Sequence, residues 1–284
     1  MSGAGNGKVS TMTASPTSRT AVLLDALHGE TPLVHCVTNL VATTFSANAL
    51  LALGASPAMV EDPEEAGELA AVAGALVINT GTMSPARADG MHAAVVAARG
   101  AGTPWLLDPV GVGPLTMRTR VAGHLLDLGP TVVRGNASEI LALAGREGGG
   151  RGVDATATVA DAADAADDLA RRHGTVVAVS GAVDRLTDGT TVHHVAGGHP
   201  LMGRVTAMGC ALGALTAAFL AAARTTGDDA LTAAVAAHAA VGACGSAAGA
   251  AARGPGSFVP AWLDELAALD TTAAAGTDAL VDTA

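Results

Sequence analysis

The sequence predicts an α/β protein with a mostly parallel central sheet flanked by helices. Short apolar runs that end in a polar residue alternate with longer segments of helical spacing, as in repeated βα units. The chain is also 284 residues long and 50% hydrophobic, enough for one sizeable core. Aromatic residues make up only 2%, with no Tyr, so that core must be built from Ala, Val, Leu and Gly, which suit closely approaching helices and sheets.

The elements follow in order. Residues 1–20 are polar and rich in Gly, Ser and Thr, and read as a flexible tail ahead of a single domain over 21–284. LVHCVT (33–38) is a strand, and residues 43–53 form a helix stopped by Gly54. A short strand near 57–60 precedes an acidic helix from Pro63 to Ala73, and ALVIN (75–79) is the next strand. Pro85 opens a helix that runs to about Gly100. PWLLDP (104–109) is a buried strand, followed by a helix near 116–127, the strand TVVRGN (131–136) and the helix SEILALAG. EGGGRG (147–152) is a flexible loop. A helix over about 160–173 leads to the strand TVVAVSG (175–181), and DRLTDGTTVHHV (184–195) is a hairpin turning at Asp188-Gly189. Two or three helices complete the chain. Residues 205–223 and 231–252 carry no charge but are dominated by Ala, Gly and Thr, so they read as buried helices rather than membrane spans.

Charge and cysteine usage exclude several functions. A net charge of −11 and scarce aromatics oppose nucleic-acid binding, which needs a basic face and stacking platforms. Three cysteines at unpatterned spacing imply reduced thiols, and the opening stretch has no apolar signal segment; both point to a cytoplasmic protein. An anionic cofactor would have to be held by local features such as helix N-termini, an Arg or Mg²⁺.

In open parallel sheets, ligands bind beyond the carboxyl ends of the strands, so polar residues there are the candidates. Asp108 ends one strand before a glycine-containing loop, and reads either as a Mg²⁺ contact or as a turn initiator. Asn136 and Glu139 have capping-box spacing, which also sets the Glu139 carboxylate beside a helix N-terminus, where it could orient a metal. Arg134, read as ending its strand, suits a phosphate oxygen or a structural ion pair. Gly203 to Cys210, GRVTAMGC, leads straight into a helix; its small residues, Gly209 among them, allow close approach of a phosphate to the first helical amides. Cys210 in the first turn is expected to have a lowered thiol pKa and to orient, or take a proton from, an attacking alcohol; the alternative is a small buried hydrophobe. Met59 reads as core filler. His193 and His194 face opposite sides of a strand, and no zinc site is assigned.

Taken together, HCVTNLVATTFSANALLALGASPAM (35–59), LVINTGT (76–82), PWLLDPVGVG (104–113), VVRGNASEI (132–140), GHPLMGRVTAMGC (198–210) and GPGSF (254–258) resemble the hydroxyethylthiazole kinases in order and spacing. The resemblance covers roughly residues 25–270. It implies a ribokinase-like fold, ATP as co-substrate, Mg²⁺, and phosphorylation of 5-(2-hydroxyethyl)-4-methylthiazole in thiamine biosynthesis or salvage. It further implies a homotrimer with the thiazole pocket at a subunit boundary. By the same resemblance Met59, Ala207 and Asn39 lie on the thiazole side, Arg134, Ser180 and Gly209 on the ATP side, Asp108 and Glu139 form the magnesium-linked pair, and Cys210 lies nearest the substrate hydroxyl. The chain departs from the family at Thr206-Ala207-Met208-Gly209-Cys210, where the pattern is Thr-Gly-Thr/Ala-Gly-Cys. Ala207 is expected to sit in an ordinary backbone region, with Ala207→Gly lowering the melting temperature. The competing readings are another ribokinase-fold enzyme, such as a pyrimidine kinase or an ADP-linked dehydratase, and a non-catalytic ligand binder.

Overall fold

The computed structural model describes residues 18–146 and 157–284. The stretch read as a tail lies outside the described residues up to position 17, and the EGGGRG loop (147–152) lies wholly outside them.

Nine strands form one sheet in the order β2-β1-β3-β4-β5-β6-β7-β8-β9. β1 (Leu33–Val37), β2 (Ser56–Ala58), β3 (Ala75–Asn79), β4 (Trp105–Asp108), β5 (Val132–Asn136) and β6 (Val176–Ser180) are parallel to their neighbours. β7 (Asp184–Thr187), β8 (Val192–Val195) and β9 (Val281–Thr283) continue the sheet antiparallel. The β7–β8 hairpin turns at Asp188-Gly189 as expected: the Asp188 carboxylate accepts from the amides of Thr190 and Thr191, and Gly189 takes φ 91°.

The helices are α1 (Arg19–Glu30), α2 (Thr43–Leu53), α3 (Ala66–Val72), α4 (Pro85–Ala101), α5 (Thr116–Asp127), α6 (Ala137–Leu143), α7 (Ala163–His173), α8 (Met208–Thr226), α9 (Ala230–Ala251), α10 (Pro255–Ala268) and α11 (Thr271–Gly276). Strand side chains alternate between two cores. Val34, Val77, Leu106, Val132 and Ala178 face one core with residues of α1, α2, α8, α9 and α10. Leu76, Ile78, Leu107, Val133 and Val179 face the other with residues of α4, α5 and α7.

The charge-free stretches become α8 and α9, which are long and apolar enough to cross a membrane, yet 83% and 67% of their most apolar windows are buried inside the fold. α8 packs over β1, β3 and β4. Its Ala214, Ala217, Ala218, Ala221 and Ala222 are almost wholly buried, so the small side chains let the helix axis lie close to the sheet.

Several boundaries differ from the sequence expectation. Ser18 caps α1, so Arg19 and Thr20 form its first turn. α3 starts at Ala66, because Asp62 first closes a turn with Glu65 and Ala66. Four α-helices follow the hairpin among the described residues, and β9 then pairs with β8. Arg134 is the third residue of β5 and does not end it.

Enlarging a buried Ala of α8 should be costly in a core packed this closely. Ala218→Leu is expected to destabilise the fold by about 1–3 kcal/mol, read from urea unfolding midpoints at unchanged slope.

Candidate active site

The candidate residues gather at the carboxyl edge of the parallel strands, beneath the N-terminus of α8. Their hub is Asp108, the last residue of β4, whose side chain is wholly buried. Its Oδ2 accepts a 2.7 Å hydrogen bond from Asn79 Nδ2, and its Oδ1 lies 3.8 Å from Arg134 Nη1. Oδ1 has no hydrogen-bond partner. Burial raises the Asp108 pKa to about 7 against the opposing pull of Arg134, and the nearby Glu139 carboxylate adds to the rise.

Asn79 ends β3 in register with Asp108. Its Oδ1 accepts from Gly81 N at 2.9 Å, and its Nδ2 also reaches Cys210 Sγ at 3.3 Å. Asn39, just beyond β1, extends Nδ2 to the same sulfur at 3.6 Å, while its Oδ1 accepts from Val41 N and from Thr82 Oγ1. Two side-chain amides thus converge on the thiol. The expected lowering of the Cys210 pKa is overturned. Burial pushes it up to about 12, and the neighbouring Asp108 carboxylate acts in the same direction. The helix N-terminus favours a thiolate, but desolvation beside a carboxylate outweighs it. Cys36 and Cys244 are likewise free and pushed up to about 12, first by burial.

Glu139 forms the capping box that its spacing with Asn136 indicated. Its Oε2 accepts from Asn136 N at 2.9 Å, and Asn136 Oδ1 accepts from Glu139 N at 2.9 Å. Oε1 accepts from Gly111 N at 3.1 Å, which ties the loop after Asp108 to α6. Glu139 thus caps α6 and tethers the loop after β4 at once.

Arg134 projects from β5 with Nε donating to Ser180 Oγ at 3.0 Å. Its guanidinium lies against Gly209, where an added Cβ would come within 2.7 Å of Nη1 and would displace it. No side chain caps the first amides of α8, which suits an anion. Arg134, Ser180, Met208 and Gly209 line a cavity of about 540 Å³ that continues past Asp184, Val195, Gly197 and Val241.

Met59 follows β2 at the same sheet edge. It is half-buried against the core, and it neither lines this cavity nor hydrogen-bonds to the cluster. Leu40 and Val41, beside Asn39, are 57% and 67% exposed. Among the described residues no group of three His, Cys, Asp or Glu converges as a metal cage.

Ala207, the N-cap of α8, takes φ 69° and ψ 0°, so the expectation of an ordinary backbone region is wrong. The turn keeps a left-handed conformation even though this chain carries Ala at that position. Thr82 (φ 50°), which hydrogen-bonds to Asn39, is also left-handed. Both departures border the same site.

The sequence reading omitted Asn79, although the rule of inspecting polar strand ends points straight at it. It also omitted Asp184 and His238, which form a 2.7 Å pair at the cavity wall but are far apart in sequence.

Comparison with known proteins places the chain in a family. The profile of the Hydroxyethylthiazole kinase family matches residues 24–272. A hydroxyethylthiazole kinase of Klebsiella pneumoniae subsp. pneumoniae is 57% identical over 248 residues, covering 87% of this chain and 94% of the relative. One from Granulibacter bethesdensis is 54% identical over 255 residues, covering 90% and 92%. The solved hydroxyethylthiazole kinase of Pyrococcus horikoshii OT3 superposes with a TM-score of 0.83 at 37% identity, covering 93% of this chain and 98% of that one. A ribokinase-like superfamily protein of Enterococcus faecalis, at 11% identity and a TM-score of 0.60, shares the fold.

Two outcomes follow from this geometry. Ala207→Gly should raise stability, because a left-handed non-glycine residue costs about 1–2 kcal/mol and the added unfolded-state entropy of Gly returns about 0.4–1 kcal/mol. A rise in melting temperature checks this. Asp108→Asn should stabilise the metal-free protein increasingly as pH rises from 4 to 7. Across that window the unfolded carboxyl, near 3.8, ionises while the folded one, near 7, holds its proton, so parent stability falls with rising pH. Melting curves of parent and variant in chelator, which should diverge over that range and run parallel above it, test the sign.

Proposed function

The chain belongs to the hydroxyethylthiazole kinase family, and from that premise we propose how its residues phosphorylate the hydroxyl of 5-(2-hydroxyethyl)-4-methylthiazole. ATP occupies the cavity of about 540 Å³, with its phosphates at the N-terminus of α8. Arg134, fixed through Ser180, offers its guanidinium Nη groups to the phosphate oxygens, and Gly209 leaves room for them. The thiazole alcohol lies on the far side of Cys210, among Asn39, Met59 and Ala207.

Phosphoryl transfer needs chiefly in-line positioning and neutralisation of charge on the migrating group. Arg134 and the unpaired amides of α8 supply these from the protein. Cys210 holds the substrate hydroxyl with a neutral thiol, because burial keeps its proton on sulfur. Asn39 and Asn79 fix the sulfur by two amide donors. The alcohol proton leaves late, so no strong base is needed beside it.

The residues present fit a hydrated Mg²⁺. Asp108 Oδ1 is buried and unpartnered, while both Glu139 oxygens already accept backbone amides and retain lone pairs for bound water. Mg²⁺ is commonly held by one or two carboxylates, substrate phosphates and waters, which suits a site with two acidic groups rather than a full cage. When bound, it would neutralise phosphate charge. The single observation that carries this reading is the orphaned oxygen of Asp108 beneath the uncapped start of α8.

The exposed Leu40 and Val41 beside Asn39 support a symmetric oligomer in which a neighbouring subunit closes the thiazole side, a trimer by family resemblance.

The test is release of ADP by purified protein given MgATP and the thiazole alcohol, with and without chelator. Turnover that requires both the alcohol and a divalent ion is expected; no alcohol-dependent ADP under any metal condition refutes the reading. Arg134→Ala should lower kcat/KM for ATP by the equivalent of about 1.5–3 kcal/mol and leave the KM for the alcohol nearly unchanged. Equal effects on both substrates would make Arg134 a structural ion pair.

A further inference from the structure

The turn joining β6 to β7 forms part of the cavity wall beside Arg134, through Gly181 and Ala182. Gly181, Ala182 and Val183 are all exposed, and the apolar side chain packed closely on Gly181 is that of Val159. A chain of hydrogen bonds leading inward fixes it. Gly181 N donates to Asp184 Oδ1 at 2.8 Å, and Asp184 Oδ2 lies 2.7 Å from His238 Nδ1. His238 comes from the middle of α9, and its side chain is wholly buried. A carboxylate oxygen can only accept, so Nδ1 carries the proton. Burial works against ionisation of Asp184, yet its hydrogen bond and charge interaction with His238, together with Gly181 N, hold its pKa below the ordinary value. The carboxylate therefore stays charged and keeps its grip on the turn. Deep anchoring of an exposed turn is what a preformed wall requires, since a loose turn would have to be ordered when ligand binds.

We propose that His238 is a positioning residue for the nucleotide: through Asp184 it holds the Gly181–Ala182 turn in place and so sets the backbone wall that ATP meets beside Arg134. This rests on the reading of the cavity as the nucleotide site. His238 takes no part in the transfer itself, so its loss acts on nucleotide affinity and leaves the thiazole side and the chemical step alone.

The experiment measures steady-state kinetics of His238→Gln, His238→Asn, Asp184→Ala and Arg134→Ala in the full chain. Asn places an amide donor near the position of Nδ1, whereas Gln places it near Nε2, so the two differ in whether Asp184 keeps its partner. His238→Gln should raise the KM for ATP about three- to tenfold, as one lost hydrogen bond implies, with kcat and the KM for the alcohol within roughly twofold. His238→Asn should restore most of the affinity. Asp184→Ala, which does not alter the buried helix side, should reproduce the KM shift and keeps the test open if His238→Gln folds poorly. Equal damage by Asn and Gln, or a fall in kcat together with a raised KM for the alcohol, would make His238 a packing residue and overturn the proposal. An unchanged KM for ATP in both His238→Gln and Asp184→Ala overturns it as well. If Arg134→Ala also leaves the KM for ATP unchanged, the cavity is not the nucleotide site, and the proposal falls at that earlier step.

Discussion

Asp108 places a whole carboxyl group out of water at the end of a central strand, with Oδ1 unpartnered. An uncompensated buried charge is among the costliest features a fold can carry. Much of the surrounding structure is a partial answer to it. Asn79 gives one hydrogen bond and is itself pinned by Gly81, and Arg134 lends charge at 3.8 Å while Ser180 holds its Nε. None of these closes Oδ1. The protein thus keeps a destabilising group that an amide at the same position would relieve, and it does so beneath the first amides of α8.

Three non-glycine residues among those described have positive φ; Thr31 ends α1, and the other two lie near the site. Ala207 and Thr82 adopt left-handed conformations that glycine would take without penalty, and each borders the thiol cluster. Ala207 sets the direction from which the amides of Met208, Gly209 and Cys210 emerge. The helix behind it can hold such a start because Ala214, Ala217 and Ala218 are locked against the sheet. Alanine-rich packing and a strained N-terminus are therefore linked features of one element.

The strands and most helices were legible in the sequence because their signals are local. Gly54, Pro85 and the Asn136–Glu139 pair act where they stand, and β3 and α2 occur over the residues their patterns indicated. β9 escaped notice because a three-residue edge strand has too few alternations to register, and it exists only because β8 offers it a partner. The direction of the Cys210 shift was misread for a related reason. A helix dipole can be inferred from sequence, but burial beside Asp108 arises from a residue on another strand. The conformation of Ala207 was misread because a small residue was taken to have relaxed, whereas it caps α8 in the left-handed region. The Asp184–His238 pair joins residues 54 positions apart and has no motif to announce it.

The two halves of the site differ in how far one chain completes them. Beside Arg134, residues of β5, β6, β7 and α8 border an open cavity, and its polar groups are tied to one another. On the other side, Asn39 is fixed by Val41 and Thr82, yet the chain beside it presents Leu40 and Val41 to solvent. Water that reaches these exposed side chains keeps the dielectric high at the margin of the cluster, and a high dielectric weakens electrostatic contacts. A second copy of the chain seated there would exclude that water and supply the missing wall in one step. Were a second copy to cover Leu40 and Val41, the contacts made by Asp108 and Arg134 would gain strength, although both residues belong to the half that a single chain already builds.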